Sequence, residues 1–275
     1  MNLRFSEYSP SFDLSSYVQA YYTGDFNLYS ENLFSQSVVP NGCIELIIHL
    51  TDDHCELLKA DAWGRSPDFT LIGLQTSPYV VRFRQQVSIF GIRFNPEGIY
   101  NIFGAPPALF TSTFEDSSDI LDATFNDYCS RLRESETIQQ KVRLTEDFLK
   151  RRMRENMQEY DFVRMASETI RKHHGVISLE ELIKEVPISP RQLQREFKKR
   201  FGITAKEYMR ISRLNAVHNY LQVTDPVNLT SLSYESGYAD QSHFVREFRK
   251  LAGTNPRRFL KNREDFLALP VNLDT

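Results

Sequence analysis

Two short segments of the chain carry side chains suited to reading the edges of base pairs. In both, basic and amide side chains recur at spacings of three and four residues, which places them on one face of a helix. Arginine and glutamine form paired hydrogen bonds with guanine and adenine edges, while lysine and arginine hold phosphates. The residues concerned are Arg191, Gln192, Gln194, Arg195 and Lys198 in the first segment, and Gln241, Ser242, His243, Val245, Arg246 and Arg249 in the second. The predicted chemistry is noncovalent recognition of double-stranded DNA.

A solvated basic face is the alternative explanation, because most charged stripes on helices simply face water. Each segment, however, also has two apolar residues four apart that would point into a core: Leu193 and Phe197, then Phe244 and Phe248. The same arrangement occurs twice, each time behind a short helix and a turn, which favours insertion into a DNA groove. His243, at the start of its helix, either touches phosphate or serves as part of the helix cap.

The two helices belong to an internal repeat over residues 178–261. Leu182 matches Leu232 at an offset of 50, whereas Phe197 matches Phe248 at 51, so the second copy has one added residue, near Ala239. Two copies are too few for a solenoid. Further matches are Leu179/Leu229, Leu193/Phe244, Tyr208/Phe259, Arg195/Arg246, Lys198/Arg249, Lys199/Lys250 and Gly202/Gly253.

Local signals predict two short helices and a sharp turn in each copy. Ser178 with Glu181 and Thr204 with Glu207 form capping boxes. Gly237 suits a turn that needs positive φ. The other predicted caps are Ser189, Asn228, Asp240 and Asn255, with Pro190 and Pro256 at first helical positions.

A long helix from Ala205 to about Gln222 connects the two copies. One side is apolar, through Tyr208, Ile211, Leu214, Val217 and Leu221. At about 1.5 Å per residue it spans roughly 27 Å. With the half-width of each unit added, the two reading helices lie about one duplex turn apart, roughly 34 Å.

These residues resemble the DNA-binding region of the AraC/XylS transcription regulators over roughly the last hundred residues. The second copy carries most of the likeness, through Leu232, Gly237-Tyr238, Asp240 to Phe244, Arg246, Phe248 to Lys250, Gly253 and Asn255-Pro256. The resemblance implies two helix-turn-helix units joined by a long helix, with DNA and RNA polymerase as partners. It also implies base contacts from Arg191, Gln194 and Arg195 in the first unit, and from Gln241, Ser242, Val245 and Arg246 in the second.

Three residues depart from the family pattern. Pro187 stands where the first copy usually has glycine, so that turn cannot use a positive φ. Ile183 replaces a small alanine, and Ala252 replaces an aromatic residue. None of the three removes a DNA-facing side chain.

The net charge of −3 conceals an asymmetry along the chain. Residues 160–275 contain 19 Lys and Arg against 14 Asp and Glu, a net of +5, whereas residues 1–159 contain 14 against 22, a net of −8. The basic end suits a polyanion. No apolar run approaches a membrane span, the N-terminus is no signal peptide, and three cysteines fit a reducing cytosol, so we expect a cytoplasmic protein.

Residues 1 to about 115 read as β-rich. A buried strand is predicted at 43–50, after the turn Pro40-Asn41-Gly42, and alternating strands at 79–84 and 90–94. Pro96 opens a short helix that ends near Gly104. These pieces look like the sensor-type domain that precedes some members of this family, although they name no ligand.

Two amphipathic helices follow, and they form a dimer interface or simply pack on their own sheet. Residues 150–158 are a predicted linker or a continuation of the second helix. The stripes are Leu121, Phe125, Cys129 and Leu132, then Ile138, Val142, Thr145 and Leu149. A supporting helix containing Phe162, Ala166 and Ile170 then ends at Gly175.

Other reactive side chains match no known template. His49, His54 and Cys55 are potential metal ligands, but their spacing fits no zinc motif. Cys129 is expected in a core, and Trp63 in a loop or lining a pocket. No catalytic constellation is evident, so we predict no enzyme activity, no cofactor and no metal.

The predicted fold is α+β in two domains. Residues 1–154 form a β-rich effector or dimerisation domain with two C-terminal helices, and residues 160–265 form an all-α domain of two helix-turn-helix units joined by a long helix. The hypothesis is a sequence-specific, effector-responsive transcription regulator, with a small-molecule effector and a homodimer as further partners. The alternatives are a divergent enzyme or metal-binding domain fused to a DNA-binding module, and a dimeric regulator without an effector.

Overall fold

The computed structural model describes residues 2–27, 34–59, 61–83, 86–156, 161–224, 226–263 and 266–267. All its strands lie in the first 116 residues, which confirms the β-rich N-terminal half. The strands are β1 Asn2–Tyr8, β2 Val18–Asn27, β3 Phe34–Val38, β4 Ile44–His49, β5 Glu56–Lys59, β6 Ala62–Arg65, β7 Phe69–Ile72, β8 Tyr79–Phe83, β9 Gln86–Phe94 and β10 Phe114–Asp116.

The strands form two antiparallel sheets with an apolar layer between them. One sheet has six strands in the order β1-β2-β9-β4-β7-β10, and the other has four in the order β3-β8-β5-β6. The central strand β4 is buried on both faces, as predicted. Its Ile44, Leu46 and Ile48 belong to the core that continues into the helices, whereas Ile47 packs in the layer between the sheets.

Eleven α-helices are present in the described part of the chain. They confirm the predicted helix after Pro96 and the predicted all-α C-terminal half. The helices are α1 Pro96–Phe103, α2 Ser117–Ile120, α3 Ala123–Glu134, α4 Ile138–Asn156, α5 Phe162–Lys172, α6 Leu179–Glu185, α7 Pro190–Phe201, α8 Ala205–Val223, α9 Leu229–Glu235, α10 Gln241–Ala252 and α11 Pro256–Lys261.

The helical pair α3 and α4 packs on its own domain. Phe125, Cys129 and Leu132 of α3 are buried, but Leu121 precedes the helix, so the predicted stripe is one residue shorter within α3. The segment considered as a linker continues α4 as far as Asn156. The remainder of that segment, 157–158, lies outside the described residues, as does Arg84 of the predicted strand 79–84.

The internal repeat folds as two helix-turn-helix units, α6–α7 and α9–α10. Residues 186–189 separate the first pair and residues 236–240 the second, which are four and five residues respectively. Gly237 has φ +71°, while the turn at Pro187 has no positive φ. The predicted caps all accept backbone N–H groups, as seen at Ser178, Ser189, Thr204, Asn228, Asp240 and Asn255.

The connecting helix α8 has 19 residues and therefore spans about 28 Å. Its predicted apolar side, from Tyr208 to Leu221, is buried between the two units. The helix is regular along its length. Thr204 caps its N-terminus, the Thr224 N–H bonds to the Tyr220 carbonyl at its C-terminus, and the apolar stripe is continuous.

Gly91 of β9 leaves room for the side chain of Tyr22, its paired residue on the neighbouring strand β2. A Cβ at Gly91 would lie 2.0 Å from Cζ of Tyr22, which is fully packed against it, whereas a Cβ at Gly64 would meet nothing within 4 Å. We expect Gly91→Ala to lower the free energy of unfolding by about 1–3 kcal/mol or more, and Gly64→Ala to change it by less than about 0.5 kcal/mol. Urea unfolding of both variants checks this, and equal effects would contradict the packing.

Candidate nucleic-acid interface

Helix α7 presents the first predicted set of polar side chains to solvent. Leu193 and Phe197 are completely buried, which fixes the rotation of the helix about its axis. The opposite face is exposed, and it comprises Arg191, Gln192, Gln194, Arg195 and Lys198. The exposed polar face of α7 is therefore positioned to contact an external partner.

Two of these cations already have intramolecular partners. Arg195, whose side chain is 71% exposed, donates two hydrogen bonds to Oε1 of Glu196, at 3.2 and 3.1 Å. Nζ of Lys198 donates to the carbonyl of Gly202 at 2.7 Å, which stabilises the C-terminus of α7. An exposed pair such as Arg195 with Glu196 contributes little energy, so the guanidinium can exchange it for a base edge.

Helix α10 presents the second set, with less uniform exposure. Ser242, Arg246 and Arg249 are exposed, whereas Gln241, His243 and Val245 are half-buried. Val245 packs against the core. The His243 ring lies edge-on to Tyr238 with centroids 5.5 Å apart, so packing, rather than a cap, restrains this imidazole.

The cap of α10 is an aspartate. The Asp240 carboxylate accepts the backbone N–H of His243 at 2.7 Å, and this hydrogen bond lowers the pKa of Asp240. The carboxylate stays ionised at neutral pH and complements the positive N-terminal end of the helix dipole.

Two arginines of α8 fasten the second unit to the connecting helix. Nε of Arg210 lies 2.6 Å from Oε2 of Glu247 in α10. Arg213 donates to the carbonyl of Gly175 at 2.9 Å and to that of Gly237 at 3.4 Å, and so joins the ends of two turns. Sequence reasoning counted both arginines only as charge, because nothing local indicates their partners.

An ion pair between a buried carboxylate and a partly exposed arginine attaches the C-terminal helices to the N-terminal domain. Glu97, in the first turn of α1, is completely buried. Its two carboxylate oxygens accept from Arg171 of α5 at 2.6 and 3.1 Å, and Arg171 also donates to the Tyr208 hydroxyl of α8 at 3.1 Å. The carboxylate neighbour raises the pKa of Arg171 well above its usual value, against the opposing effect of burial.

A second polar junction holds the rear of α7. Nη1 of Arg200 lies 2.7 Å from Oδ1 of Asp161, whose other carboxylate oxygen accepts from Asn101 of α1 at 2.8 Å. The Arg200 guanidinium also stacks on Tyr100, 4.9 Å from the ring centroid. Arg200 therefore makes contacts inside the protein, whereas the predicted DNA-contacting residues of α7 face solvent.

The histidines considered as metal ligands form a buried hydrogen-bonded cluster instead. Nε2 of His49 lies 3.4 Å from Cys55 Sγ and 3.2 Å from Ser66 Oγ, and the His49 and His54 rings stack at 4.2 Å. Burial lowers the pKa of His49 to about 4, so the imidazole is neutral at physiological pH. Within the described ranges, no three His, Cys, Asp or Glu side chains have a geometry that could hold a metal ion.

The three thiols are buried and unpaired with one another. Burial raises the pKa of Cys43 to about 12 and that of Cys55 to about 11, and it also raises the pKa of Cys129. Such thiols are inert in the folded protein, because only thiolates react readily.

Two family models match the chain. A helix-turn-helix domain matches residues 182–262, and a domain of unknown function (DUF6597) matches residues 6–116. Among the described helices, none is long and apolar enough to cross a membrane.

The chain is similar to the HTH-type transcriptional activator RhaS of two bacteria. Identity is 26% over 91 residues for Escherichia coli O139:H28, covering 33% of this chain and 32% of RhaS. It is 30% over 88 residues for Escherichia fergusonii, covering 32% and 31%. The matched segment thus spans about a third of the length of these relatives.

Two solved structures have some similarity to the chain. ToxT from Vibrio cholerae has a TM-score of 0.49 at 10% identity, covering 88% of this chain and 98% of that chain. A probable AraC family transcriptional regulator from Rhodopseudomonas palustris CGA009 has a TM-score of 0.34 at 26% identity, covering 38% and 97%.

Removing Arg171 should weaken the contact between α1 and α5, while the contact of Arg200 with Asp161 remains. In Arg171→Met the Glu97 carboxylate stays buried without its cation, which we expect to destabilise the fold by about 3–5 kcal/mol. Amide exchange in α1 and α5 should rise accordingly. Arg164→Met, which removes a partly exposed partner of Glu168 on the same helix, is the control and should cost less than about 1 kcal/mol. Equal exchange in the two variants would contradict this role of the ion pair.

Proposed function

We propose that this chain, whose C-terminal helix-turn-helix region is of the AraC/XylS family, is a sequence-specific DNA-binding transcription regulator. One observation carries the proposal: two matched helices, α7 and α10, turn basic and amide side chains to solvent at opposite ends of one rigid helix. The RhaS proteins that share this region are activators, and activation through RNA polymerase is the corresponding proposal here.

The proposed contact places α7 and α10 in successive major grooves on one face of the duplex. Arg191, Gln194, Arg195 and Arg246 are suited to base edges, and Arg249 to phosphate. Because α8 is stiff, the spacing of the two helices is preset, so the duplex either bends to fit or binds one unit less tightly. Residues 160–265 are the proposed DNA-binding domain.

Residues 1–154 are the proposed regulatory domain, acting by binding rather than by catalysis. Their two sheets enclose an apolar cavity of about 40 Å³. One wall has a polar group, since the Tyr22 hydroxyl donates to Oε2 of Glu45 at 2.7 Å. A mostly apolar effector with one hydrogen-bonding group fits that lining, and it would act by shifting a pre-existing conformational equilibrium.

Purified full-length chain can be offered random duplexes, and the bound fragments sequenced. Two recurring half-sites about one helical turn apart would support the proposed reading, and site symmetry would reveal whether a homodimer binds. Affinity for the recovered site should fall steeply as salt increases. Recovery of random sequence, with weak binding indifferent to salt, would refute the proposal. Turnover or stoichiometric metal in the purified protein would favour the fused-enzyme alternative.

Arg195→Ala and Arg246→Ala should each weaken binding to the preferred site by about 1–3 kcal/mol and relax base preference locally. Both side chains are exposed on the outward faces, so their removal leaves the cores of the units intact. The control is Arg131→Ala, an equally exposed arginine on α3 of the proposed regulatory domain, which should leave affinity nearly unchanged. Titrations on the preferred duplex and on single-base variants measure both effects. Unchanged specificity in both variants would refute the assigned reading faces.

A further inference from the structure

The last described residues of the chain, Phe266 and Leu267, connect the second helix-turn-helix unit with the two sheets. We call these two residues the C-terminal strap. Phe266 is buried, with its ring 4.7 Å from that of Phe259 in α11. Leu267 packs in the apolar layer between the sheets and lines the cavity. Consecutive residues thus belong to the hydrophobic cores of two different parts of the protein.

Backbone pairing with strand β3 holds the strap against the four-stranded sheet. β3 is an outer strand of the four-stranded sheet, and Ser37 of β3 forms an isolated parallel bridge with Phe266. The Leu267 N–H donates to the Ser37 carbonyl at 2.9 Å. An outer strand offers unpaired backbone groups that an extended segment can use. The attachment is short, so it can be lost without breaking the ladder between β3 and β8.

The chain just before the strap is fixed to the DNA-binding half. Nη2 of Arg263 donates to the Thr224 carbonyl at the end of α8, at 2.9 Å. Phe259 in turn lies 5.7 Å from Phe248 of α10 and 5.0 Å from His218 of α8, as measured between ring centroids. Movement of the strap should therefore shift the aromatic side chains that pack against the second reading helix.

The cavity is too small for an organic ligand while Leu267 occupies its wall. A volume of about 40 Å³ accommodates a few water molecules. The other lining residues lie in or next to strands whose hydrogen-bonded ladders resist displacement. Leu267 is the lining residue that comes from the C-terminal half of the chain, and it lies outside the strand ladders, with its N–H bonded to the Ser37 carbonyl.

We propose that Leu267 is the displaceable wall of the cavity, and that an uncharged, mostly apolar ligand takes its place. This inference rests on the proposed function, in which a ligand of the first domain alters DNA binding. Displacing Leu267 breaks the bond to Ser37 and removes this attachment of the second helix-turn-helix unit to the two sheets, while the close approach of Gly253 to Pro78 remains. The first unit keeps its attachment through Arg171 and Glu97. Ligand binding thus changes the restraint on one reading helix only.

The dye N-phenyl-1-naphthylamine, which is uncharged and has one N–H group, serves as the probe in fluorescence titrations of the full chain. In Leu267→Ala the competing side chain is truncated, and we expect the dye to bind about tenfold more tightly. In Leu267→Phe the wall is thickened, and binding should weaken. Leu109→Ala, at a leucine that is 72% exposed, is the control and should behave as the unaltered chain. The opposite signs of the two Leu267 variants separate the proposed role from simple loss of folding.

Amide exchange gives the second readout. The dye should increase exchange in α11 of the unaltered chain and leave α5 protected, because only the second unit loses its attachment through the strap. Equal dye affinity in Leu267→Ala and the unaltered chain, or dye binding that leaves α11 unchanged, would overturn the proposal. If instead the dye results hold while no specific DNA is bound, the regulator assignment fails and the strap stands.

Discussion

The arrangement of the protein depends on one carboxylate that has been taken out of water. Glu97 lies at the start of α1, beneath the end of the six-stranded sheet, and a charge in that position is tolerated only because Arg171 and its hydrogen bonds compensate for lost hydration. α5 must therefore remain docked on α1. Since α5 supports the first helix-turn-helix unit and Arg171 also holds Tyr208 of α8, this contact and that of Arg200 with Asp161 together orient α7 and α8.

The two units repeat a sequence pattern but are attached in different ways. The first is held by charges, through Arg200 with Asp161 and through the neighbouring Arg171. The second is held by α8, through Arg210 and Arg213, and by apolar packing around Phe259. Equivalent cations therefore have different uses: Lys198 stabilises the end of α7, whereas the matching Arg249 is exposed on α10. A duplicated sequence need not contribute two equal halves of a binding energy.

Local signals in the sequence were sufficient for the helix-turn-helix units. Caps such as Ser178 and Thr204, and the glycine at 237, act within a few residues of where they stand, and so they predict element ends well. The apolar run along β4 likewise predicted a buried strand, whereas the alternation along β9 did not predict that Gly91 and Arg93 are buried as well. The departures at Pro187 and Ala252 are accommodated, since the shorter turn needs no positive φ and Ala252 is almost fully buried.

Contacts between distant segments were not predictable in the same way. Glu97 and Arg171 are 74 residues apart, and neither stands in a motif that reveals a partner. The half-burial of His243 and Val245 is also a tertiary effect, because Tyr238 of the preceding turn packs against His243 and Val245 packs against the core. The contact of Leu267 with Ser37 joins segments far apart in the sequence, and no periodicity encodes it.

The three buried cysteines can report local opening in three separate regions of the chain. Cys43 precedes β4, Cys55 lines the cavity and Cys129 lies in the helical core, so each thiol belongs to a separate region. A thiol with a raised pKa that water does not reach is modified only when its own region opens. The labelling rate of each sulfur atom would therefore measure how often its own region opens, in one unaltered polypeptide with no reporter group introduced.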